Sequence, residues 1–278
     1  MTQGREEMGM RRAGKIGMLL AVFLIAAGGA LPQRGNEVLL RFEQVVAEQV
    51  TFRFWVPVDA VADLYPQPLA PAAPRSDGLS APPPAGMVES RLVIRIGSFS
   101  YPGVGGETVE RRILDGYWLL AADLPEAYNP GAGADAALLL EYYCSSPALA
   151  ALLAEAGVPV SPVDGEVEFR LRPDGSEVVE GSAVTEPHGE WRIRGVTTDG
   201  RRYDTGASVV RLYYLADGEL RALEILEADD YRMRATGGIE FLGASPLDNW
   251  PDWRWADDSA EFQYNTNNAH QVLRVTEP

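Results

Sequence analysis

Lysine is nearly absent from this chain. Lys15 is the only one, so all the remaining basic residues are Arg. Beyond position 15 no side-chain amine is available for Schiff-base chemistry. A GC-rich coding sequence that favours Arg codons explains the scarcity without any functional cause. Cysteine is represented by Cys144 alone and histidine by His188 and His270. A single Cys excludes an intrachain disulfide, so the fold must stand on its core. It also excludes Cys₄ and Cys₂His₂ zinc sites, and two His exclude a His₃ site. We therefore expect no metal and no cofactor. Positive charge is scarce overall: 24 Lys+Arg face 40 Asp+Glu, for a net charge of −16 and a pI of about 4.6. Phosphate repulsion then argues against a nucleic-acid partner, and anionic membrane surfaces are disfavoured for the same reason. There is no G-x-S-x-G elbow, and no repeat of fixed period that would make a propeller or solenoid. Gly103–Gly106 lacks the Lys and Ser/Thr of a phosphate loop and reads as a turn.

What is present is ordinary globular material, 278 residues with 46% hydrophobic and 23% charged side chains, enough to bury a sizeable core. Arg11, Arg12 and Lys15 precede an uncharged run, residues 16–31, that ends in small residues. This order of basic, apolar and small segments is that of a secretory signal. The expected location is extracytoplasmic, periplasmic or secreted. The run is short for a membrane span, but left uncleaved it would serve as a signal-anchor holding the chain at the membrane. No Cys follows it to carry a lipid, and Ala13-Gly14 stands where a twin-Arg signal has hydrophobic residues. Residues 1–30 thus read as signal and residues 31–278 as one β-rich domain. That domain has 20 basic residues, all Arg, against 38 acidic ones.

Residues 45–57 are rich in β-branched and aromatic side chains and predict a strand, with a short helical piece over 58–64. Residues 65–86 are Pro- and Ala-rich and read as an extended surface loop inside the domain. Residues 88–99 alternate, with Leu92, Ile94 and Ile96 set against Arg91, Arg95 and Gly97. Asp115-Gly116 predicts a hairpin turn between strands 107–114 and 117–122. Residues 136–144 (AALLLEYYC) form a nearly continuous apolar run, a buried central strand. The convincing helix is 147–156, with Pro147 at its first position, Ser145 or Ser146 as cap and Gly157 just past its end. Beyond Gly165 the pattern is hairpin after hairpin, with turns at 173–176, 186–189, Asp199-Gly200 and Asp217-Gly218. The expected architecture is mainly β, a large twisted antiparallel sheet curled into a barrel or cone around an internal cavity.

Candidate chemistry is sparse. His188 lies between Glu186 and Glu190, a setting that suits a catalytic His, though turns also collect such residues for their polarity. His270 sits in a polar stretch and reads as a surface residue. The acidic clusters 227–230 and 257–261 lack the spacing of a calcium loop and read as solvated charge. Asp248–Trp255 (DNWPDWRW) places Trp250, Trp253 and Trp255 among polar residues. They are candidates to contact a ligand such as a sugar ring, and equally candidates to plug a barrel end. Cys144, beside Tyr142 and Tyr143, reads as a packing residue.

The order of these features resembles the acetoacetate decarboxylase-like superfamily. The resemblance is carried by the opening VTFRFWVPVDAVADLYPQPLAP and by Gly157-Val158-Pro159-Val160, which stands after the helix where the family has Gly-Phe-Pro-Lys. It spans residues 50–245 in feature order. The family's Gly-Arg-Glu in the helix is replaced by Leu152-Leu153-Ala154, and its Schiff-base Lys by Val160. The resemblance implies the fold and a pocket, not the reaction. It makes Gly157, Pro159, Val160 and Tyr142 pocket-lining candidates around a small, largely apolar ligand. The other reading is an extracytoplasmic structural or carbohydrate-contacting protein that uses the Trp cluster.

Overall fold

Alternating apolar and polar residues, bounded by Gly and Asp, make long strands that bend, and the bending sets the architecture. In the computed structural model residues 38–72, 83–103, 105–124, 135–174, 176–264 and 270–276 are described, within one compact unit over Asn36–Pro278. Strand β1 (Val38–Pro57) runs into helix α1 (Val58–Val61) and a 3₁₀ turn (Ala62–Leu64), as the sequence predicts. The Pro-rich segment contributes the two-residue strand β2 (Ala70–Pro71), and its positions 73–82 lie outside the described residues. β3 (Met87–Gly103) and β4 (Gly106–Asp123) form a long hairpin closed at Gly103 and Gly106. β5 (Asp135–Cys144) leads through α2 (Pro147–Glu155) to β6 (Val160–Leu171). β7 (Glu177–Thr185), β8 (Gly189–Ala216), β9 (Glu219–Phe241), β10 (Arg254–Tyr264) and β11 (His270–Thr276) complete the sheet.

β1 pairs with β3 on one side and with β10 and β11 on the other, so the path through β3 to β10 returns to its start. The sheet curls through 298° as a half-barrel. Inside lie Phe52, Phe54, Leu92, Ile94, Trp118, Trp191 and Trp250. On the outer face a second core, with Val93, Tyr117, Tyr142 and Leu212, packs under Leu149 and Leu153 of α2. Ser146 caps α2 by accepting the Leu149 N–H at 3.1 Å. Among the described residues no helix is long and apolar enough to cross a membrane; the run 16–31 lies outside them.

Three expectations need correction. Pairing is not all antiparallel: β5 runs parallel to β6 and to β8, because α2 carries the chain back across the sheet. Asp115-Gly116 is not a turn but mid-strand in β4, where a Cβ on Gly116 would lie 2.1 Å from the Val93 carbonyl oxygen. The strand can pass that close only as Gly. Asp199-Gly200 is likewise inside β8, as an irregularity in a strand that keeps β9 as its partner. Asp217-Gly218 is the expected two-residue turn, with φ of 52° and 83° and Ala216 facing Glu219.

Candidate functional site

β5 changes partner along its length. Asp135–Leu138 pair with β8 and Tyr142–Cys144 with β6, so residues 139–141 lie where the two neighbours diverge. Glu141 sits at that point, opposite Trp118. Its Oε1 accepts the Ser161 hydroxyl, and its Oε2 accepts the Tyr143 hydroxyl at 2.9 Å. His188 Nε2, from the tight β7–β8 turn, lies 3.1 Å from the same Oε2. The pair is mostly buried, with side chains 20% (Glu141) and 15% (His188) exposed, so solvent screens it weakly. Burial pushes Glu141 up, but the hydrogen bonds from His188, Ser161 and Tyr143 outweigh it and hold the carboxyl below its ordinary value. Tyr143 moves the other way, raised by burial and then by the Glu141 charge.

Aromatic rings back this cluster. Trp191 is edge-on to Tyr143 at 4.9 Å and stacked with His188 at 6.2 Å. Beneath them is a cavity of about 10 Å³, walled by Leu114, Gly116, Tyr143, Val163, Ala183 and Trp191, with room for a single water-sized group. Trp191 Nε1, in this wall, and Thr185 Oγ1 have no hydrogen-bond partner among the described residues. Both residues are buried, and Thr185 sits opposite the wall residue Val163.

A second polar group lies under α2 and is closed to solvent. Arg95 Nη2 donates to Asp115 and, at 2.9 Å, to Tyr142 Oη, which itself donates to Asp115 at 2.6 Å. The guanidinium also lies 5.0 Å over the Tyr117 ring. Burial pulls the Arg95 pKa down, but the Asp115 charge more than restores it, and the net direction is up.

The pocket candidates are brought together on this α2 side. Tyr142 N–H bonds the Pro159 carbonyl at 2.7 Å and Tyr142 pairs with Val160. Val160 packs against the outer core, and a Cβ on Gly157 would meet Ala216. The three Trp are brought together on the interior side. Trp250 is buried against Trp118, while Trp253 and Trp255 are half-buried around Phe54 at 5.7 and 4.6 Å. Cys144 is buried, with its thiol pushed up to about 12 by burial first and Asp115 second, which suits packing. His270 opens β11, and its side chain and those of both acidic clusters lie outside the described residues. The sequence reading missed Glu141, Ser161, Tyr143, Thr185 and Trp191 as a group. One signal was visible: Glu141 is the lone charge in the run AALLLEYYC.

A curled mixed sheet with one crossover helix outside and a polar cluster facing inward defines an enclosing β fold. Its solved counterparts are acetoacetate decarboxylase-like enzymes, and the fold is theirs. An acetoacetate decarboxylase-like enzyme from Sphingomonas wittichii RW1 is 12% identical, with 86% of this chain and 91% of that chain aligned at a TM-score of 0.50. An acetoacetate decarboxylase is 9% identical over 84% of this chain and 87% of its own, also at 0.50. No protein-family model matches the sequence, and no curated protein matches it.

Proposed function

We propose that this is an exported protein of acetoacetate decarboxylase-like fold that binds a small, uncharged, largely apolar molecule inside the half-barrel, without Schiff-base chemistry. The observation that carries this reading is the Glu141 cluster on the interior face where β5 switches partners, which shares Tyr143 with the wall of a cavity also lined by Val163, Ala183 and Trp191. A carboxylate held ionised there repels an anionic ligand, and burying a second, unpaired carboxylate beside it is costly. Gripping an apolar body is left to the aromatic walls. The cavity holds only a water-sized group, so a larger ligand must push its wall side chains apart. Export rests on the order of residues 11–31, and the absence of Schiff-base chemistry on the absence of Lys after Lys15.

Thermal-shift titration of the native protein with acetophenone and with benzoate, matched in size and shape, tests the pocket. Stabilisation by acetophenone and none by benzoate is expected, and E141Q should narrow the difference. Larger stabilisation by benzoate, lost on replacing one interior Arg, would reverse the assigned polarity. Mass spectrometry of the native N-terminus tests export. The expected start lies near Gly29 or Leu31, or the full chain is found in membranes; full-length soluble protein in the cytoplasm would refute it.

A further inference from the structure

We infer that the occupant of this site carries a hydrogen-bond acceptor, met by the indole N–H of Trp191 and the hydroxyl of Thr185. The inference rests on the binding reading above and specifies its chemistry. The acceptor capacity of the cluster is already engaged: Glu141 Oε1 takes the Ser161 hydroxyl, and Oε2 takes Tyr143 and His188. What remains is donor capacity. Trp191 Nε1 and Thr185 Oγ1 are both buried, and neither has a partner among the described residues.

The two residues are neighbours on the interior face. Trp191 pairs with Ala183 on β7, and Thr185 is the next residue on β7 to face that way, while Val184 between them is exposed. A buried donor without an acceptor destabilises the protein, and native folds contain few of them. Trp191, which walls the cavity, and Thr185, which sits opposite the wall residue Val163, mark a place where an acceptor arrives from outside the chain. A hydrocarbon leaves them unpaired, a cation leaves the indole N–H unpaired, and an anion meets Glu141. An uncharged molecule with an apolar body and a carbonyl-type acceptor satisfies all three constraints.

The probes are acetophenone, isopropylbenzene and benzoate, close in shape and differing in acceptor and charge. The native protein is ¹⁵N-labelled, and the Trp191 indole N–H resonance is identified by its loss in W191F. Acetophenone should shift that resonance downfield. Isopropylbenzene should bind at least tenfold more weakly and leave it in place. T185V removes one donor at similar shape. It should narrow the acetophenone-to-isopropylbenzene ratio and, without ligand, raise Tm by about 2–4 °C. If isopropylbenzene binds as tightly as acetophenone, or acetophenone binds with the Trp191 resonance unmoved, the acceptor inference is overturned while the binding reading stands. If none of the probes binds at millimolar concentration, both fall together.

Discussion

Arg95 and Asp115 are charged side chains with no access to water, and the alternation that places Arg95 opposite Leu92 and Ile94 gives no hint of it. Polar residues on the second face of a strand ordinarily meet solvent. Here α2 covers that face, so the charge is buried and must be paired where it stands. Removing one partner strands the other: D115N should cost about 3–5 kcal/mol in urea denaturation. The triple variant R95M/D115L/Y142F removes every polar atom of the group and should recover most of that loss. A triple variant as unstable as D115N would show that the ion pair, rather than its shape, holds α2 to the sheet. Glu141 makes a prediction of the opposite kind, about pH. Its carboxyl is held below the ordinary value of 4.5, so folding favours the ionised form. The resulting stability is present above that value and is lost as pH falls through the lowered one. The Tm gap between wild type and E141Q should therefore be open at pH 7 and close as pH falls below 4.5 and through the lowered value. A gap independent of pH would mean that Glu141 contributes through shape alone. Only Tyr143, two residues on, is a local partner; Ser161 and His188 lie 20 and 47 residues away.

At the scale of elements the chain contains an instructive pair. Asp115-Gly116 and Asp217-Gly218 are the same dipeptide between apolar segments, and the sequence predicts a turn at each. At 217–218 both residues take positive φ and the strands separate around them. At 115–116 the Asp is claimed by Arg95 and the Gly is pressed against β3, so the strand runs on. The long-range contact overrides the local preference, and local patterning cannot see a partner 20 residues back. Elements whose determinants are local were legible. α2 has its Pro, its Ser cap and its closing Gly157 within a dozen residues, and it folds as read. The crossover that makes β5 parallel to β6 is implicit in the strand–helix–strand order, but the hairpin signals that follow it mask it. The two dipeptides should respond differently to Ala. At Gly218 a Cβ meets nothing within 4 Å, so G218A carries only the backbone penalty of positive φ, about 1 kcal/mol. At Gly116 it meets a carbonyl oxygen at 2.1 Å, so G116A must push β3 and β4 apart, at about 3 kcal/mol or more. Equal urea midpoints for the two variants would contradict the close packing of β3 on β4.

Charge is a property of the whole molecule, and here two effects oppose each other. Beyond residue 30 there are 38 acidic and 20 basic residues. Their mutual repulsion works against any compact state. Against it stand ion pairs on the outer face of β6–β9: Arg170 with Glu168, Arg192 with Glu190 and Glu240, and Arg194 with Glu180. The Arg192 and Arg194 contacts are 3.6–4.0 Å long, with guanidinium groups more than half exposed. Exposed pairs of this kind contribute about 0–1 kcal/mol each and are screened by the same salt that screens repulsion. The buried Arg95–Asp115 pair is shielded from salt and drops out of the comparison. An excess of carboxylates spread over the domain should therefore outweigh a few loose pairs. Raising NaCl from 10 mM to 1 M shortens the screening length from about 30 Å to about 3 Å, and Tm should rise by a few degrees. Sodium chloride is the salt to use, because sulfate would stabilise the fold through exclusion from its surface. A Tm that falls with NaCl would mean that the Arg–Glu pairs along β6–β9 act as a network strong enough to offset the net charge. The outer face of the half-barrel would then be a stabilising element in its own right.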